Sequence, residues 1–318
     1  MSSHWSEYWQ QGHLTSFGNS FNLSYSGELK HVWDALFETL DDGFNSLDLA
    51  TGNGAIPILL DQFTREKNIR GAIEAIDLAT INTSAIKKKY RFFNEIEFKS
   101  QISCEQVSTL EQKFDLITSQ FGIEYSDIEK SLIACKSVLK PDGIIGLVCH
   151  HNNSHIIKRN KATYNVLIDD TFTQCVKYFF GLIRASFCVK TKNDIALLKK
   201  NEQAEHCRKG LNVTLQRLTE SNEQGLIDSE LPNYIQTFMR TGIIWSESEK
   251  KSYIEHITLQ LETLKLRLDE LVNAALSVPE VAMLKTFCSI NKLELISQEQ
   301  IHDNTGQLVA WFLTLKSH

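Results

Sequence analysis

From residue 46 to residue 150, short apolar runs alternate with longer segments in which apolar residues recur every three or four positions. Runs of the first kind predict strands, and segments of the second kind predict amphipathic helices. The predicted strands lie near 46–50, 72–77, 95–102, 113–119 and 143–149, and the predicted helices near 55–66, 80–91, 104–111 and 127–139. Such alternation is typical of a parallel sheet with helices on both faces.

After the fifth predicted strand this alternation stops, and residues from about 150 to 276 follow a mostly helical pattern. Within this region, Ser246–Leu276 carries a heptad seam formed by Ile254, Ile257, Leu261, Leu264, Leu268, Leu271 and Ala275. A helix of about 30 residues would be about 45 Å long. Leu259 and Leu266 fall outside the seam, and a helix that is apolar on two sides is usually buried among other helices. We therefore expect intramolecular packing, with a homodimer through residues 246–276 as the alternative.

The first 45 residues are rich in aromatic side chains. Trp5, Tyr8 and Trp9 share one face of a predicted helix, and a second predicted helix covers Gly27–Leu40. These aromatic residues either cover an edge of the sheet or fold over a ligand, where an aromatic face can attract a cation.

The strand pattern returns after Pro279. Glu280–Ile290 is a predicted helix, and it is followed by predicted strands at 293–297 and 308–315. Only a short turn separates these strands, so they should pair antiparallel. The predicted parts of the chain are an N-terminal lid of helices (1–45), an α/β core (46–150), a helical cap inserted after the fifth strand (151–276) and a C-terminal segment that completes the sheet (277–318).

Composition narrows the possible classes of protein. With 318 residues and 42% hydrophobic residues, the chain can bury one large core or two modest ones. No apolar run is long enough for a membrane span, and the N-terminus lacks the pattern of a secretory signal. The seven cysteines are scattered singly, which is typical of free thiols in the cytoplasm. A net charge of −6 does not favour broad binding of nucleic acid. His206 and Cys207 stand apart from other ligand-type residues, so no metal site is expected.

The stretch Ser46–Leu60 contains the most informative motif. It combines a buried strand, a turn that contains Gly52 and Gly54, and the apolar start of a helix. Glycines in such a turn let backbone N–H groups approach a ligand closely, and the helix N-terminus favours negative charge. Asp77 ends the next predicted strand, where an acidic residue is expected to bind ribose hydroxyls.

Several segments follow this turn in a fixed order: Ile76-Asp77, then Phe114-Asp115-Leu116-Ile117-Thr118-Ser119, then Leu139-Lys140-Pro141-Asp142-Gly143. Together with Leu47–Gly54, this series resembles the class I S-adenosylmethionine-dependent methyltransferases over about half of the chain. The resemblance implies a Rossmann-like seven-stranded sheet, S-adenosyl-L-methionine as cofactor and methyl transfer as the reaction. Ala50 stands where the family usually has its first glycine. Pro57 replaces the third glycine of a nicotinamide-binding turn, which disfavours an oxidoreductase.

The resemblance also implies which residues contact the cofactor. Asp48, Gly52 and Gly54 would shape the pocket for its amino-acid end, Asp77 would bind the ribose, and Leu78 would lie against the adenine. The other candidate cofactor contacts are Ala50, Asn53, Ser103, Cys104, Ser119 and Gln120.

The candidate catalytic residues follow the fourth and fifth strands. Glu124 and Tyr125 would face the transferring methyl group, and His150 and His151 lie where a base could accept a proton at neutral pH. The structural alternatives are that Tyr125 packs on the sheet, that Glu124 is solvated and that one histidine hydrogen-bonds the loop after the fifth strand.

We therefore expect a cytoplasmic methyltransferase that acts on a small molecule held under the helical cap. One alternative is another group transfer from the same class of cofactor, such as aminopropyl transfer or the use of a carboxylated cofactor. A second alternative is a non-catalytic protein that binds a partner through its long heptad helix.

Overall fold

The computed structural model describes residues 3–15 and 26–317. Its central feature is a seven-stranded sheet with the strand order β3-β2-β1-β4-β5-β7-β6. The strands are β1 (Phe44–Leu49), β2 (Gly71–Asp77), β3 (Glu95–Ser100), β4 (Phe114–Gln120), β5 (Leu139–His150), β6 (Leu293–His302) and β7 (Leu308–Ser317). Strands β1 to β5 pair in parallel, and β7 pairs antiparallel with both β5 and β6. The predicted sheet with a C-terminal antiparallel pair is confirmed.

Helices cover both faces of this sheet. They are α2 (Glu28–Phe37), α3 (Ala55–Lys67), α4 (Thr83–Lys89), α5 (Ile128–Val138) and α12 (Val278–Ile290). Helix α1 (Ser3–Gln10) instead packs against Ala79 and Ile81 after β2. On one face Leu47 and Leu49 pack with residues of α5 and α12, and on the other Leu116 and Val148 pack with residues of α2 and α3. Both faces of the central strands β1 and β4 are therefore mostly buried.

Two predicted helices differ from the structure. The segment predicted as a helix at 104–111 forms a short 3-10 turn at Cys104–Thr109, and α4 begins at Thr83 rather than near residue 80. Side chains bind the backbone before α4, because Ala79 N–H donates to Asp77 and Asn82 N–H donates to Asn53. These bonds hold the segment after β2 in a non-helical path.

Residues 158–272 form a second compact unit. Its helices are α6 (His155–Leu167, mostly in this unit), α7 (Asp170–Ala185), α8 (Ile195–Leu198), α9 (Glu202–Asp228), α10 (Leu231–Arg240) and α11 (Glu247–Ala274). Phe179, Phe238 and Ile257 are buried in its core. No helix among the described residues is long and apolar enough to cross a membrane.

The long heptad helix α11 packs within this unit by one face. Ile257 and Leu268 of the seam are buried in the helical core, as expected. The expectation that the helix is buried on two sides is wrong, since Leu259 is 48% exposed and Leu266 is 53% exposed. Tyr253, Ile254, Leu261 and Leu264 also pack against this core. Dimerisation through this helix stays a prediction.

The two ends of the inserted region meet at the carboxyl end of β5. Leu276 N–H donates to His150 O at 2.8 Å, and Asn152 N–H donates to Leu276 O at 3.1 Å. The indole N–H of Trp311 also donates to Leu276 O at 3.0 Å. The chain thus leaves and rejoins the sheet at one point. A position of the helices over the strand ends stays a prediction.

Candidate functional site

The order of the strands reverses between β1 and β4, so a crevice opens at the carboxyl ends of these two strands. The turn after β1 has three residues with positive φ, namely Ala50 at 49°, Gly52 at 54° and Gly54 at 82°. Ala50 adopts the left-handed region despite its side chain, at a cost of roughly 1–2 kcal/mol. Ala50 therefore adopts a backbone conformation that a glycine would adopt at lower cost.

Asp48 supplies a buried carboxyl group to this crevice. Its side chain accepts a hydrogen bond from Thr118 Oγ1 at 2.7 Å, because Asp48 of β1 lies opposite Thr118 of β4 in the sheet. Burial raises the pKa of Asp48 from 3.8 to about 7. The group is therefore close to its titration point at neutral pH.

Asp77 lies at the end of the neighbouring strand β2. One carboxylate oxygen accepts from Gly52 N–H at 2.7 Å, and the other accepts from Ala79 N–H at 2.7 Å. Burial raises the pKa of Asp77 to about 6. Each oxygen has a further lone pair, so the carboxylate can still accept from a ligand. Leu78 beside it is 45% exposed and offers an apolar surface.

The segment after β3 reaches Asp77 through its backbone, since Ile102 N–H donates to Asp77 O at 3.1 Å. Ser103 N–H donates to the side chain of Gln106 at 3.1 Å and so begins the 3-10 turn. Cys104 is buried in the core under the sheet, and burial raises its pKa well above the usual range. The structure brings this segment to the predicted adenine end, where backbone groups lie next to Asp77.

At the end of β4, Ser119 and Gln120 have different surroundings. Ser119 Oγ donates to Leu49 O at 3.1 Å and accepts from Ile123 N–H at 3.0 Å, so it links β1 to the turn after β4. The amide oxygen of Gln120 accepts from the indole N–H of Trp33. The amide nitrogen of Gln120 is buried and has no hydrogen-bond partner among residues 3–15 and 26–317. Gln120 lines the crevice together with Asp48.

Glu124 and His150 lie together behind this crevice. A carboxylate oxygen of Glu124 accepts from the backbone N–H of His150 at 2.8 Å, and burial raises the pKa of Glu124 to about 7. The His150 ring is fully buried and stacks on Phe121 at 4.3 Å. Burial lowers the pKa of His150 to about 3. At neutral pH the imidazole is thus uncharged and only weakly basic. Tyr125 lies edge-on to this ring at 6.1 Å.

His151 points away from the crevice residues and supports the loop that follows β5. Its Nδ1 accepts from Asn153 N–H at 3.0 Å, and its ring stacks on Trp311 at 4.4 Å. This is the loop contact that the sequence offered as the structural alternative for one of the two histidines.

Asn53 binds the N-terminal segment of the chain. Its amide nitrogen donates to Trp9 O at 2.9 Å and to His13 O at 2.7 Å. Trp9, Leu14 and Thr15 contribute to a cavity of about 30 Å³ together with residues of the crevice. The crevice residues that line it are Asp48, Ala50, Thr51, Ala55, Ile56, Gln120 and Phe121.

Thr118, Trp33, Leu14 and Thr15 belong to the site but were not singled out by the sequence. Thr118 could have been found from the sheet order, because a parallel β1–β4 pair places it opposite Asp48. Trp33 belongs to the second predicted helix, and its bond to Gln120 depends on how α2 packs on the sheet. Among the described residues, no three His, Cys, Asp or Glu side chains are grouped to hold a metal ion.

The comparisons with known proteins show what this chain is similar to. Residues 24–179 match the model of the ubiE/COQ5 methyltransferase family, which is just under half of the chain. No curated protein matches the chain.

Solved structures with some similarity include a putative rRNA-methylase from Clostridium thermocellum, with 16% identity and a TM-score of 0.34 over 41% of this chain and 72% of that chain. A putative S-adenosylmethionine-dependent methyltransferase from Listeria monocytogenes has 18% identity and a TM-score of 0.31, and the match covers 39% of this chain and 56% of that chain. Phosphoethanolamine N-methyltransferase 1 from Haemonchus contortus has 15% identity and a TM-score of 0.37, and the match covers 47% of this chain and 31% of that chain. For the last two, the chain matches less than two thirds of the similar protein.

The family match over residues 24–179 and the strand order make the chain similar to the class I S-adenosylmethionine-dependent methyltransferase family. S-adenosyl-L-methionine is the cofactor of this family, and the crevice fits it in three respects. Gly52 and Gly54 leave the turn without side chains, Asp77 retains acceptor capacity, and the buried amide nitrogen of Gln120 needs an acceptor.

Proposed function

We propose that the protein transfers the methyl group of S-adenosyl-L-methionine to a small-molecule acceptor at the carboxyl ends of β4 and β5. The proposal depends on one observation above all. Asp48, Asp77 and Gln120 are buried polar residues from three adjacent strands, and they converge on one glycine turn. Buried polar groups of this kind cost free energy unless a ligand or a neighbour satisfies them.

In this proposal the cofactor lies across the turn. Asp77 accepts from the ribose hydroxyls, and Asp48 and Gln120 bind the amino-acid end, where the Gln120 amide can donate to a carboxylate. The bound cofactor supplies an electrophilic methyl group. The protein then has to orient the acceptor in line with this group and exclude water from both.

Glu124 is the proposed base. Its pKa of about 7 suits proton acceptance at neutral pH, whereas the pKa of His150, about 3, makes that ring a poor acceptor. His150 and Phe121 instead form a flat, uncharged wall next to Glu124. Tyr125 is the candidate acceptor contact, since its ring is partly exposed beside this wall.

We also propose that the inserted residues 158–272 select the acceptor and that the protein acts in the cytoplasm. The first proposal is supported by the attachment of both ends of the insertion at His150 and Leu276. The second is supported by seven cysteines that are all free thiols.

Isothermal calorimetry with three ligands tests the proposal. We expect tight binding of S-adenosylmethionine and S-adenosylhomocysteine and weak binding of decarboxylated S-adenosylmethionine. Preference for the decarboxylated compound would instead indicate aminopropyl transfer. Mass spectrometry of small molecules released from the purified protein should reveal the cofactor and the class of acceptor.

A non-catalytic, partner-binding protein is the second candidate function. The exposed Leu259 and Leu266 on α11 favour it, because large apolar side chains spaced seven residues apart can contact a partner helix. Failure of calorimetry to detect either cofactor form at millimolar concentration would make this candidate the better one.

A further inference from the structure

The described N-terminal residues 3–15, which we call the N-terminal strap, cross the carboxyl end of the sheet. Near β2, Thr80 N–H donates to Ser6 Oγ at 3.1 Å. Near β4, the ring of Trp5 lies edge-on to that of Tyr125 at 5.8 Å. The strap therefore extends from the neighbourhood of Asp77 to the neighbourhood of Glu124, which is the full width of the proposed cofactor site.

The glycine turn itself holds the strap in place. Both hydrogens of the Asn53 amide nitrogen are directed to strap carbonyls, those of Trp9 and His13. The strap is also closed on itself, since Tyr8 OH donates to Thr15 O at 2.9 Å and the rings of Tyr8 and His13 stack at 4.5 Å. A folded strap is thus fixed to a residue of the binding turn.

The strap occupies the space directly above the turn. A Cβ atom placed on Gly52 would lie 2.6 Å from the ring of Trp9, so this ring packs against the bare backbone. The cavity left between the strap and Asp48 is about 30 Å³. A space of this size holds one or two water molecules and is far too small for a nucleoside or an amino acid.

We propose that the N-terminal strap competes with the cofactor for the glycine turn, so that S-adenosylmethionine binds only after Trp9 leaves Gly52. This inference rests on the proposed cofactor site and adds to it a closed, self-inhibited state. A ligand that binds only the open form has its apparent affinity reduced by the open fraction. Weakening the strap should therefore strengthen binding, which is the opposite of what the loss of a direct cofactor contact would do.

The first experiment compares Trp9→Ala with Gln10→Ala, an exposed residue of the same helix. Calorimetry and surface plasmon resonance would measure the binding of S-adenosylhomocysteine. We expect Trp9→Ala to lower Kd about tenfold and to raise the association rate constant, and we expect Gln10→Ala to change neither. A higher Kd for Trp9→Ala would show that Trp9 is a cofactor contact and would overturn the competition.

A second experiment locks the strap without removing its aromatic residues. Ser6→Cys combined with Thr80→Cys introduces one thiol on the strap and one on the segment it contacts, since Ser6 Oγ lies 3.1 Å from the backbone N of Thr80. The oxidised double variant should lose S-adenosylhomocysteine binding, a reductant should restore it, and Ser6→Cys alone should bind in both states.

The outcomes separate this inference from the proposed function. Unchanged binding by the oxidised double variant would overturn the strap as a competitor and leave the cofactor site intact. Absence of binding in every form, including Trp9→Ala with its strap weakened, would overturn both.

Discussion

At the scale of single residues, the candidate site is unusual because it buries carboxyl groups that have no cationic partner within residues 3–15 and 26–317. Burial raises the pKa of Asp48 and of Glu124 to about 7 and that of Asp77 to about 6. Such pKa values are typical of functional sites, since a structural ion pair would lower them instead. These groups make both stability and activity dependent on pH.

The stability prediction concerns Asp48. Its pKa in the folded state exceeds its ordinary value of 3.8, so the folded protein holds more protons than the unfolded chain between pH 3.8 and about 7. The free energy of unfolding should therefore decrease as the pH rises through this window, by roughly 4 kcal/mol from this group. Urea denaturation at pH 5 and pH 8 would measure about 3 kcal/mol of this decrease.

The Asp48→Asn variant should show a correspondingly smaller decrease, because its amide does not ionise. The exposed Asp41→Asn variant is the control and should behave like the wild type. An equal decrease in the wild type and in Asp48→Asn would contradict the assignment.

The activity prediction concerns Glu124. Glu124→Gln should reduce kcat by about 10²- to 10⁴-fold because the acceptor's proton loses its base, whereas Kd for S-adenosylhomocysteine should stay the same. In the wild type, kcat should rise as the pH increases through about 7, and the variant should lack this rise. Glu129→Gln, an exposed residue of the next helix, is the matched control. Retention of both kcat and the pH profile in Glu124→Gln would exclude Glu124 as the base.

At the scale of elements, the glycine turn depends on packing from neighbouring strands. Gly54 has a φ of 82°, and a Cβ atom there would lie 2.7 Å from the Phe98 ring of β3. Gly306, in the turn between β6 and β7, has a similar φ of 80°, but apart from its chain neighbours no atom of the described part of the chain lies within 4 Å of its Cβ position. A comparison of substitutions at the two glycines therefore separates the cost of backbone strain from the cost of close packing.

Gly306→Val should destabilise the protein by about 1–2 kcal/mol, which is the cost of a side chain in the left-handed region. Gly54→Val should cost more, because it also displaces Phe98, and it should abolish binding of S-adenosylhomocysteine. Thermal denaturation and calorimetry would measure the two effects. Equal behaviour of these variants would mean that Phe98 does not support the turn.

At the scale of the whole molecule, the sheet unit and the inserted unit each have their own core. Backbone hydrogen bonds join the two ends of the insertion at His150 and Leu276. A short flexible linker in place of residues 158–272 should therefore leave the sheet unit folded.

We expect the shortened protein to bind S-adenosylhomocysteine with unchanged Kd and to lose methyl transfer, since the proposed acceptor-selecting region is gone. Calorimetry and an assay with the acceptor identified by mass spectrometry would measure the two properties. Full turnover by the shortened protein would refute a role of the insertion in acceptor binding.

The sequence by itself determined the sheet and the turn, and it carried the resemblance to a methyltransferase family. Short-range patterns were sufficient, because strand and helix periodicity, the Gly52 and Gly54 spacing and the strand-end Asp77 are local properties of the chain. The heptad seam of α11 was also visible locally, and its Ile257 and Leu268 are buried as that pattern predicts.

Only the tertiary structure decided how the candidate residues share the site. The pKa values of Glu124 and His150 depend on burial by distant segments, so sequence position could not rank them as bases. The partners of Gln120 and Asn53 come from residues far away in the chain, Trp33 for the first and Trp9 and His13 for the second. Long-range packing therefore decides which polar atoms remain available to a ligand, because hydrogen bonds between distant segments form only after the sheet has brought them together.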